Sequence, residues 1–238
     1  MAILDYRTDG KTALITMTNG ANQQNLDFAN TMLAALERDE ADKAVRAVDI
    51  TSNHEKNWSQ GVDLNWLMGA RQAGDEASIL AFMLGMNKVF AKLLTLHVPT
   101  IAAITGHAFG NGAMMACACD FRFMRADRGY FCFPEIDISI PFLPSMIAYI
   151  RKAIPEHRFN EMALSGRRVT AEELAREHII SAALPDADAT LKAAMEYAAS
   201  FNKSPAIYGE QKRRMHKAIV DKMAQEDQPL IDALKLTV

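Results

Sequence analysis

Residues 99–120 constrain the fold more than any other stretch of this chain. Within them, residues 100–104 (TIAAI) are apolar and rich in branched side chains, and they are bounded by proline and glycine, which predicts a short buried strand. Residues 106–112 contain three glycines, and residues 113–119 are small and apolar on every face. The stretch therefore predicts a buried strand, a tight glycine-rich turn and a helix that is buried all round.

Such a turn is suited to hold negative charge next to the helix. The first N–H groups of a helix have no intrahelical partner, and glycines allow another backbone or a ligand to approach them closely. The glycine spacing is not that of a Walker A loop or of a dinucleotide-binding turn. By itself the pattern fits an anion-binding turn and plain tight packing equally well.

Composition limits the class of protein. The chain has 238 residues, of which 50% are hydrophobic, and a net charge of −3. These values favour one sizeable domain and give no reason to expect nucleic-acid binding. No apolar stretch reaches the roughly 18 residues of a membrane span without interruption, and the first residues lack a secretory signal pattern. We therefore expect a cytoplasmic protein without a membrane span.

The cysteines give no indication of a metal or redox site. Cys117, Cys119 and Cys132 do not form a CxxC pair, and we interpret them as small core residues. We expect no bound metal.

Apolar runs alternate with helical periodicity, which predicts an α/β core followed by a helical tail. We divide the chain into a core, residues 1–190, and a C-terminal helical region, residues 191–238, and we expect Asp27 to cap the first helix. The predicted strands are residues 13–17, 47–51, 100–104, 120–124 and 130–133. The predicted helices are residues 76–96, 113–119, 145–153, 156–164, 170–177, 187–201 and 205–235.

Four segments resemble, in order and spacing, the motifs of the enoyl-CoA hydratase/isomerase (crotonase) superfamily. The resemblance extends from about residue 10 to residue 200, and Asp120 follows the second segment at the matching distance. The segments are residues 58–64 (WSQGVDL), 99–112 (PTIAAITGHAFGNG), 133–136 (FPEI) and 164–175 (LSGRRVTAEELA).

The resemblance implies a fold, a substrate class and an anion site. The fold is a crotonase-like spiral of ββα units followed by trimerising helices, so we expect a homotrimer or a dimer of trimers. The substrate is an acyl-CoA thioester, and no separate cofactor is expected because coenzyme A is part of that substrate. The backbone N–H groups of Val62 and Asn111 match the family's oxyanion hole. The positions that match the family's CoA-binding segments are Ala21, Asn22, Gln24, Gln60, Asp63 and Leu64.

The same resemblance indicates one branch of the superfamily. Family hydratases hold water between two glutamates, and the matching positions here are Met114 and Glu135. Methionine cannot transfer a proton, so hydration by two carboxylates is not expected. One carboxylate suffices to move a proton from C2 to C4 of a 3-enoyl-CoA, with Glu135 as base and then acid. Residues 124–129 (MRADRG) also resemble the plant-type Δ3,Δ2-enoyl-CoA isomerases, and we place Met114, Phe109 and Phe133 in the substrate pocket.

Alternatives remain open for these residues and for the function. Glu135 fits a salt bridge with Arg125 or Arg128 as well as a catalytic base, and Asp137 would share its face if both lay in a strand. His107 is interpreted as structural. The alternative functions are another crotonase-type reaction, such as hydration or thioester hydrolysis, and non-catalytic acyl-CoA binding.

Overall fold

The computed structural model describes residues 2–234, and its main layer is a six-stranded sheet. The strand order is β1-β2-β4-β7-β9-β11, with β1 antiparallel to β2 and every other neighbouring pair parallel. The strands are β1 (Leu4–Asp9), β2 (Thr12–Met17), β3 (Gln23–Gln24), β4 (Ala47–Ser52), β5 (Asn57–Ser59), β6 (Gly61–Val62), β7 (Thr100–Ile104), β8 (His107–Phe109), β9 (Phe121–Arg125), β10 (Phe131–Cys132) and β11 (Ala182–Leu184).

Helices surround this sheet and continue into the C-terminal region. The helices are α1 (Leu26–Ala41), α2 (Leu64–Gln72), α3 (Glu76–Thr95), α4 (Asn111–Ala118), α5 (Pro144–Ala153), α6 (Glu156–Ser165), α7 (Ala171–Arg176), α8 (Ala187–Ala199), α9 (Pro205–Lys222) and α10 (Gln228–Asp232), with a π-helical segment, Met223–Asp227, between the last two.

The architecture is the α/β spiral of ββα units that was expected. Strands β2, β4, β7 and β9 of the main sheet are each followed by a short strand outside it and then by a helix. The short strands form two small parallel sheets, β10-β8-β5 and β3-β6. The chain after β5 and the turn after β8 lie directly against each other, since a Cβ on Gly61 would be 2.7 Å from the carbonyl oxygen of Phe109.

The core lies on both faces of the main sheet. On one face, Val48 and Ile50 belong to a large buried cluster with residues of α1, α3 and α4. On the other face, Ala47 packs with Ile101 and with Ala194 of α8. The predicted boundary between residues 190 and 191 falls inside α8, and the division into two domains stays a prediction.

Helix α3 has the length and the apolar composition of a membrane span, and it is the one such helix in residues 2–234. Its residues Phe82, Val89, Phe90, Leu93 and Leu94 are buried in the core. Packing against the rest of the protein therefore accounts for its composition.

Three local predictions are corrected. Asn25 caps α1, because its side chain accepts a hydrogen bond of 3.0 Å from Phe28 N, and Asp27 lies inside the first turn. Strand β10 of the three-stranded sheet, predicted over residues 130–133, ends at Cys132, since Pro134 has no N–H with which to extend the pairing. The single helix predicted for residues 205–235 is interrupted by the π-helical segment, and residue 235 lies outside the described residues.

Candidate active site

Helix α4 begins where the glycine-rich turn ends, and its first residue, Asn111, faces a cavity. Gly110 is the N-cap residue with φ of 51°, a left-handed conformation that glycine adopts without strain. All eight residues of α4 are buried. Because Asn111 is the first residue of the helix, its N–H has no intrahelical partner. This leaves one main-chain donor at the wall of the cavity.

A second main-chain donor comes from β6. The N–H of Asp63 bonds to the carbonyl of Gln24 on β3 at 2.8 Å. Successive N–H groups along a strand point to opposite edges, so the N–H of Val62 points away from β3. Val62 also lines the cavity.

Gly61 brings these two donors together. Its φ is 78°, and a Cβ at this position would lie 2.7 Å from the carbonyl oxygen of Phe109 and 3.0 Å from the nitrogen of Asn111. Any side chain would collide with the turn before α4. Glycine therefore allows the strand that carries Val62 to pack directly against the start of α4.

The carboxyl group of Glu135 lies at the same place. A Cβ on Gly110 would be 3.1 Å from Glu135 Oε1. Glu135 is only 7% exposed, and its Oε2 is buried without a hydrogen-bond partner in the described structure. Burial raises the pKa of Glu135 to about 7. A carboxyl group in this state can take up and release a proton near neutral pH.

The salt-bridge interpretation of Glu135 is wrong. Arg125 pairs with Asp127 at 2.6 Å, and Arg128 pairs with Glu55 at 2.6 Å. Both arginines are therefore engaged elsewhere.

Asp137 does not share a strand face with Glu135, since residues 135–139 form a turn in which Asp137 N bonds to Pro134 O at 2.9 Å. The carboxylate of Asp137 lies against Gly166, outside the lining of the cavity. His107 has a structural contact, as its Nδ1 accepts a hydrogen bond of 3.1 Å from Tyr130 N.

The cavity has a volume of about 550 Å³ and is mostly apolar. Glu135, Met114 and Phe109 lie on its wall together with Val62 and Asn111. The acids among its described lining residues are the buried Glu135 and the exposed Glu76. Further lining side chains come from α3 and from the region of α5, namely Ile79, Phe82, Met83, Met86, Phe142 and Met146.

Comparison with known proteins places this geometry in a family. The family model described as enoyl-CoA hydratase/isomerase matches residues 7–233. The chain belongs to the enoyl-CoA hydratase/isomerase family. It is 34% identical over 194 residues to enoyl-CoA delta isomerase 3 of Arabidopsis thaliana, covering 78% of each chain. It is also 34% identical over 140 residues to the carnitinyl-CoA dehydratase of Salmonella arizonae, covering 59% of this chain and 51% of that protein.

A solved structure supports the fold. Human mitochondrial delta3-delta2-enoyl-CoA isomerase superimposes with a TM-score of 0.89, covering 98% of this chain and 90% of that chain at 18% identity. The crotonase fold expected from the sequence is therefore confirmed, and so is membership of an enzyme family that contains both isomerases and dehydratases.

The six positions that match the family's CoA-binding segments divide into two groups. Gln60 and Leu64 line the cavity, whereas Ala21, Asn22, Gln24 and Asp63 lie outside its lining. Each member of the second group has a contact within the fold. Ala21 O accepts from Gln60 N at 3.2 Å, Asn22 Nδ2 donates to Ser52 Oγ at 2.7 Å, Gln24 Oε1 accepts from Asn111 Nδ2 at 2.9 Å, and Asp63 accepts from Trp66 N at 3.0 Å as the cap of α2.

Of the three pocket residues, Phe133 lies outside the cavity lining. It is fully buried, and its ring packs edge-on against Phe131, Phe142 and Phe159. Since Phe142 lines the cavity, Phe133 supports the wall from behind.

Sequence reasoning missed the walls contributed by α3 and by the C-terminal segment, including Leu230 and Leu234. Their apolar periodicity predicts burial but does not distinguish a side chain facing a cavity from one in the solid core. Lys212 stands in a run of three basic residues with Arg213 and Arg214, a pattern typical of surface charge. The structure instead buries Lys212 and pairs it with Asp120 at 2.7 Å.

Proposed function

We propose that the protein is a Δ3,Δ2-enoyl-CoA isomerase, which converts a 3-enoyl-CoA into the conjugated trans-2-enoyl-CoA. The observation that carries this proposal is the pairing of Glu135 with Met114 in one cavity. Glu135 is a buried acid with a pKa near neutrality, and Met114 occupies the position where family hydratases have a second glutamate. One proton-transferring group is available where hydration requires two.

Glu135 acts as the proton shuttle. Its carboxylate removes a proton from C2, and the electron pair of the C–H bond moves into a dienolate that extends from the thioester oxygen to C4. The same carboxyl group then returns the proton to C4. The double bond, which lay between C3 and C4 in the substrate, lies between C2 and C3 in the product. The reaction changes neither the composition nor the oxidation state of the substrate.

The N–H groups of Val62 and Asn111 bind the thioester oxygen. They stabilise the negative charge that develops on this oxygen as the proton leaves C2. A main-chain donor of this kind is worth about 10²–10³ in rate. Both donors are main-chain groups, one of β6 and one of the first turn of α4. Asparagine at position 111, where the family usually has glycine, therefore leaves the donor in place.

Methionine at position 114 disfavours water addition. Its thioether cannot orient or deprotonate a water molecule, and with the other apolar side chains of the wall it keeps the region around Glu135 dry. The exclusion of water protects the dienolate from competing reactions.

The products formed by the purified protein test the proposal. A 3-enoyl-CoA with a six-carbon chain should give conjugated thioester absorbance without release of free thiol, and crotonyl-CoA should give little hydration. Hydration of crotonyl-CoA at a rate similar to that of isomerisation would overturn the interpretation of Met114. Release of free CoA would indicate thioester hydrolysis, and tight CoA binding without turnover of any thioester would indicate a binding protein.

A further inference from the structure

Part of the cavity wall comes from the C-terminal segment. Leu230 of α10 and Leu234 line the same cavity as Met83 and Met86 of α3 and Met146 of α5. Three elements that are distant in sequence therefore surround its apolar part. The size of this part depends on how α10 is held against α3 and α5.

Asp227 connects these three elements immediately behind the wall. It is completely buried, at 0% exposure. Its Oδ2 accepts a hydrogen bond of 3.2 Å from Asn87 Nδ2 of α3 and another from Ser145 Oγ of α5. Its Oδ1 accepts a hydrogen bond of 2.9 Å from Ser145 N. Asn87 itself lines the cavity, so this set of hydrogen bonds adjoins the acyl site.

Asp227 also serves as the missing cap of α5. No side chain from the N-terminal end of α5 itself caps this helix, which begins at Pro144. The N–H of Ser145 lies in the first turn, where a negative charge is favoured by the helix dipole. A carboxylate from the C-terminal segment supplies both the acceptor and the charge.

The π-helical segment changes the orientation of the chain so that α10 lies against the cavity. The N–H of Gln228 bonds to the carbonyl of Met223, five residues earlier, and Pro229 has no N–H to continue the α-helical pattern of α9. Met223, Asp227 and Ile231 form the buried face of this segment. The wider turn thereby orients Asp227 toward α3 and α5 and places Leu230 on the cavity.

From these contacts we propose that α10 closes the acyl cavity, that Leu230 limits the length of the acyl chain, and that Asp227 is the positioning residue that holds α10 in place. This inference rests on the proposed function, since it assigns the apolar part of the cavity to the acyl chain. It adds the determinant of chain length, which lies in the C-terminal segment rather than beside Glu135.

A change of volume at Leu230 tests the wall directly. Leu230→Trp should lower kcat/KM progressively as the acyl chain lengthens from six to sixteen carbons, and Leu230→Ala should shift the preference toward longer chains. Each methylene accepted or excluded is worth about ten-fold or more in such a pocket, so the ratio of long-chain to short-chain kcat/KM should change by at least about that factor. An unchanged ratio in both variants would overturn the proposal.

Asp227→Asn tests the positioning role. The amide keeps the size of the side chain and loses the charge and part of the acceptor capacity, so α10 loosens and the dependence of KM on chain length should flatten. Asp232→Asn is the matched control, because Asp232 lies five residues further along at the end of α10, is exposed and bonds only to Gln228 in the described residues. A uniform loss of kcat at all chain lengths, or equal effects of the two variants, would contradict a role in chain-length selection.

Binding of saturated acyl-CoAs separates this inference from the proposed function. These ligands cannot isomerise, and Leu230→Trp should weaken the binding of long chains more than that of short ones. If the wild-type protein shows no isomerase activity while Leu230→Trp shows this length-dependent loss of affinity, the proposed function fails and the wall assignment holds. If it isomerises 3-enoyl-CoA while Leu230→Trp leaves all affinities unchanged, the wall assignment fails and the proposed function stands.

Discussion

The side-chain amide of Asn111 donates a hydrogen bond of 2.9 Å from Nδ2 to Oε1 of Gln24. Gln24 is completely buried and belongs to β3, which pairs with β6 and therefore with Val62. The bond ties the first residue of α4 to the small sheet that carries the other main-chain donor. The side chain of Asn111 thus fixes the two donors relative to each other.

We predict that Gln24→Leu lowers kcat/KM by about ten-fold, a fraction of the 10²–10³ lost with an entire oxyanion donor. The substitution keeps the size of the side chain but leaves Asn111 without its acceptor, so the effect should fall mainly on kcat. Gln23→Leu is the control, because Gln23 lies on the same strand and is partly exposed. Steady-state kinetics of the two variants decide, and equal activities would contradict the positioning role of Gln24.

The rate of isomerisation should follow the ionisation of Glu135. The base must be deprotonated in the free enzyme, and burial raises the pKa of Glu135 to about 7. We therefore expect kcat/KM to rise ten-fold per pH unit below about pH 7 and to level off above it. A pH profile that is flat between about pH 5.5 and 8 would show that another group controls proton transfer.

The buried ion pair of Lys212 and Asp120 should be necessary for stability. Lys212 joins α9 to the rest of the fold through Asp120 and through the carbonyl of Leu93 at 2.8 Å. Lys212→Met leaves a buried charge unpaired and should lower the free energy of unfolding by about 3–5 kcal/mol. Lys217→Met removes an exposed pair with Asp221 and should cost no more than about 1 kcal/mol. Urea unfolding of both variants measures these losses. Similar losses of unfolding free energy in the two variants would contradict a special role of the buried pair.

Asp49 should destabilise the protein. Neither of its carboxyl oxygens has a hydrogen-bond partner in the described structure, and burial raises the pKa of Asp49 well above its usual value. Asp49→Val should raise the free energy of unfolding at neutral pH, by about 1–3 kcal/mol or more.

The pH dependence of this gain has a definite sign. The folded protein keeps the proton of Asp49 at pH values where the unfolded chain has released it, so the contribution of Asp49 to wild-type stability falls as pH rises above about 4. The difference between Asp49→Val and wild type should therefore widen from acid to neutral pH in urea unfolding. A constant difference would show that Asp49 does not titrate with folding.

The sequence predicted the centre of the fold because its signals there are local. Residues 100–104 form β7 as predicted, and residues 111–118 form the buried helix α4 within two residues of the prediction at each end. The outer strand β1 was missed because four of its six residues are exposed and the other two are only partly buried. The edge strand has little apolar pattern to detect.

The site was predictable only where a motif spans it. The family motifs assign Val62, Asn111, Met114 and Glu135 to one site, and the structure places all four on the wall of one cavity. Their catalytic roles remain predictions, as do the oligomeric state and the cytoplasmic location. The roles of Asp227 and Leu230 depend on contacts between residues more than 80 positions apart, and no local pattern encodes such contacts.

The isomerase activity of Glu135→Gln tests the central claim most directly, with Glu76→Gln as control because Glu76 is the exposed acid of the same cavity. Loss of the general base should reduce kcat/KM for a six-carbon 3-enoyl-CoA by about 10²–10⁴, while Glu76→Gln should retain most of the activity. Wild-type turnover by Glu135→Gln would contradict the proposal that one buried glutamate carries the proton from C2 to C4.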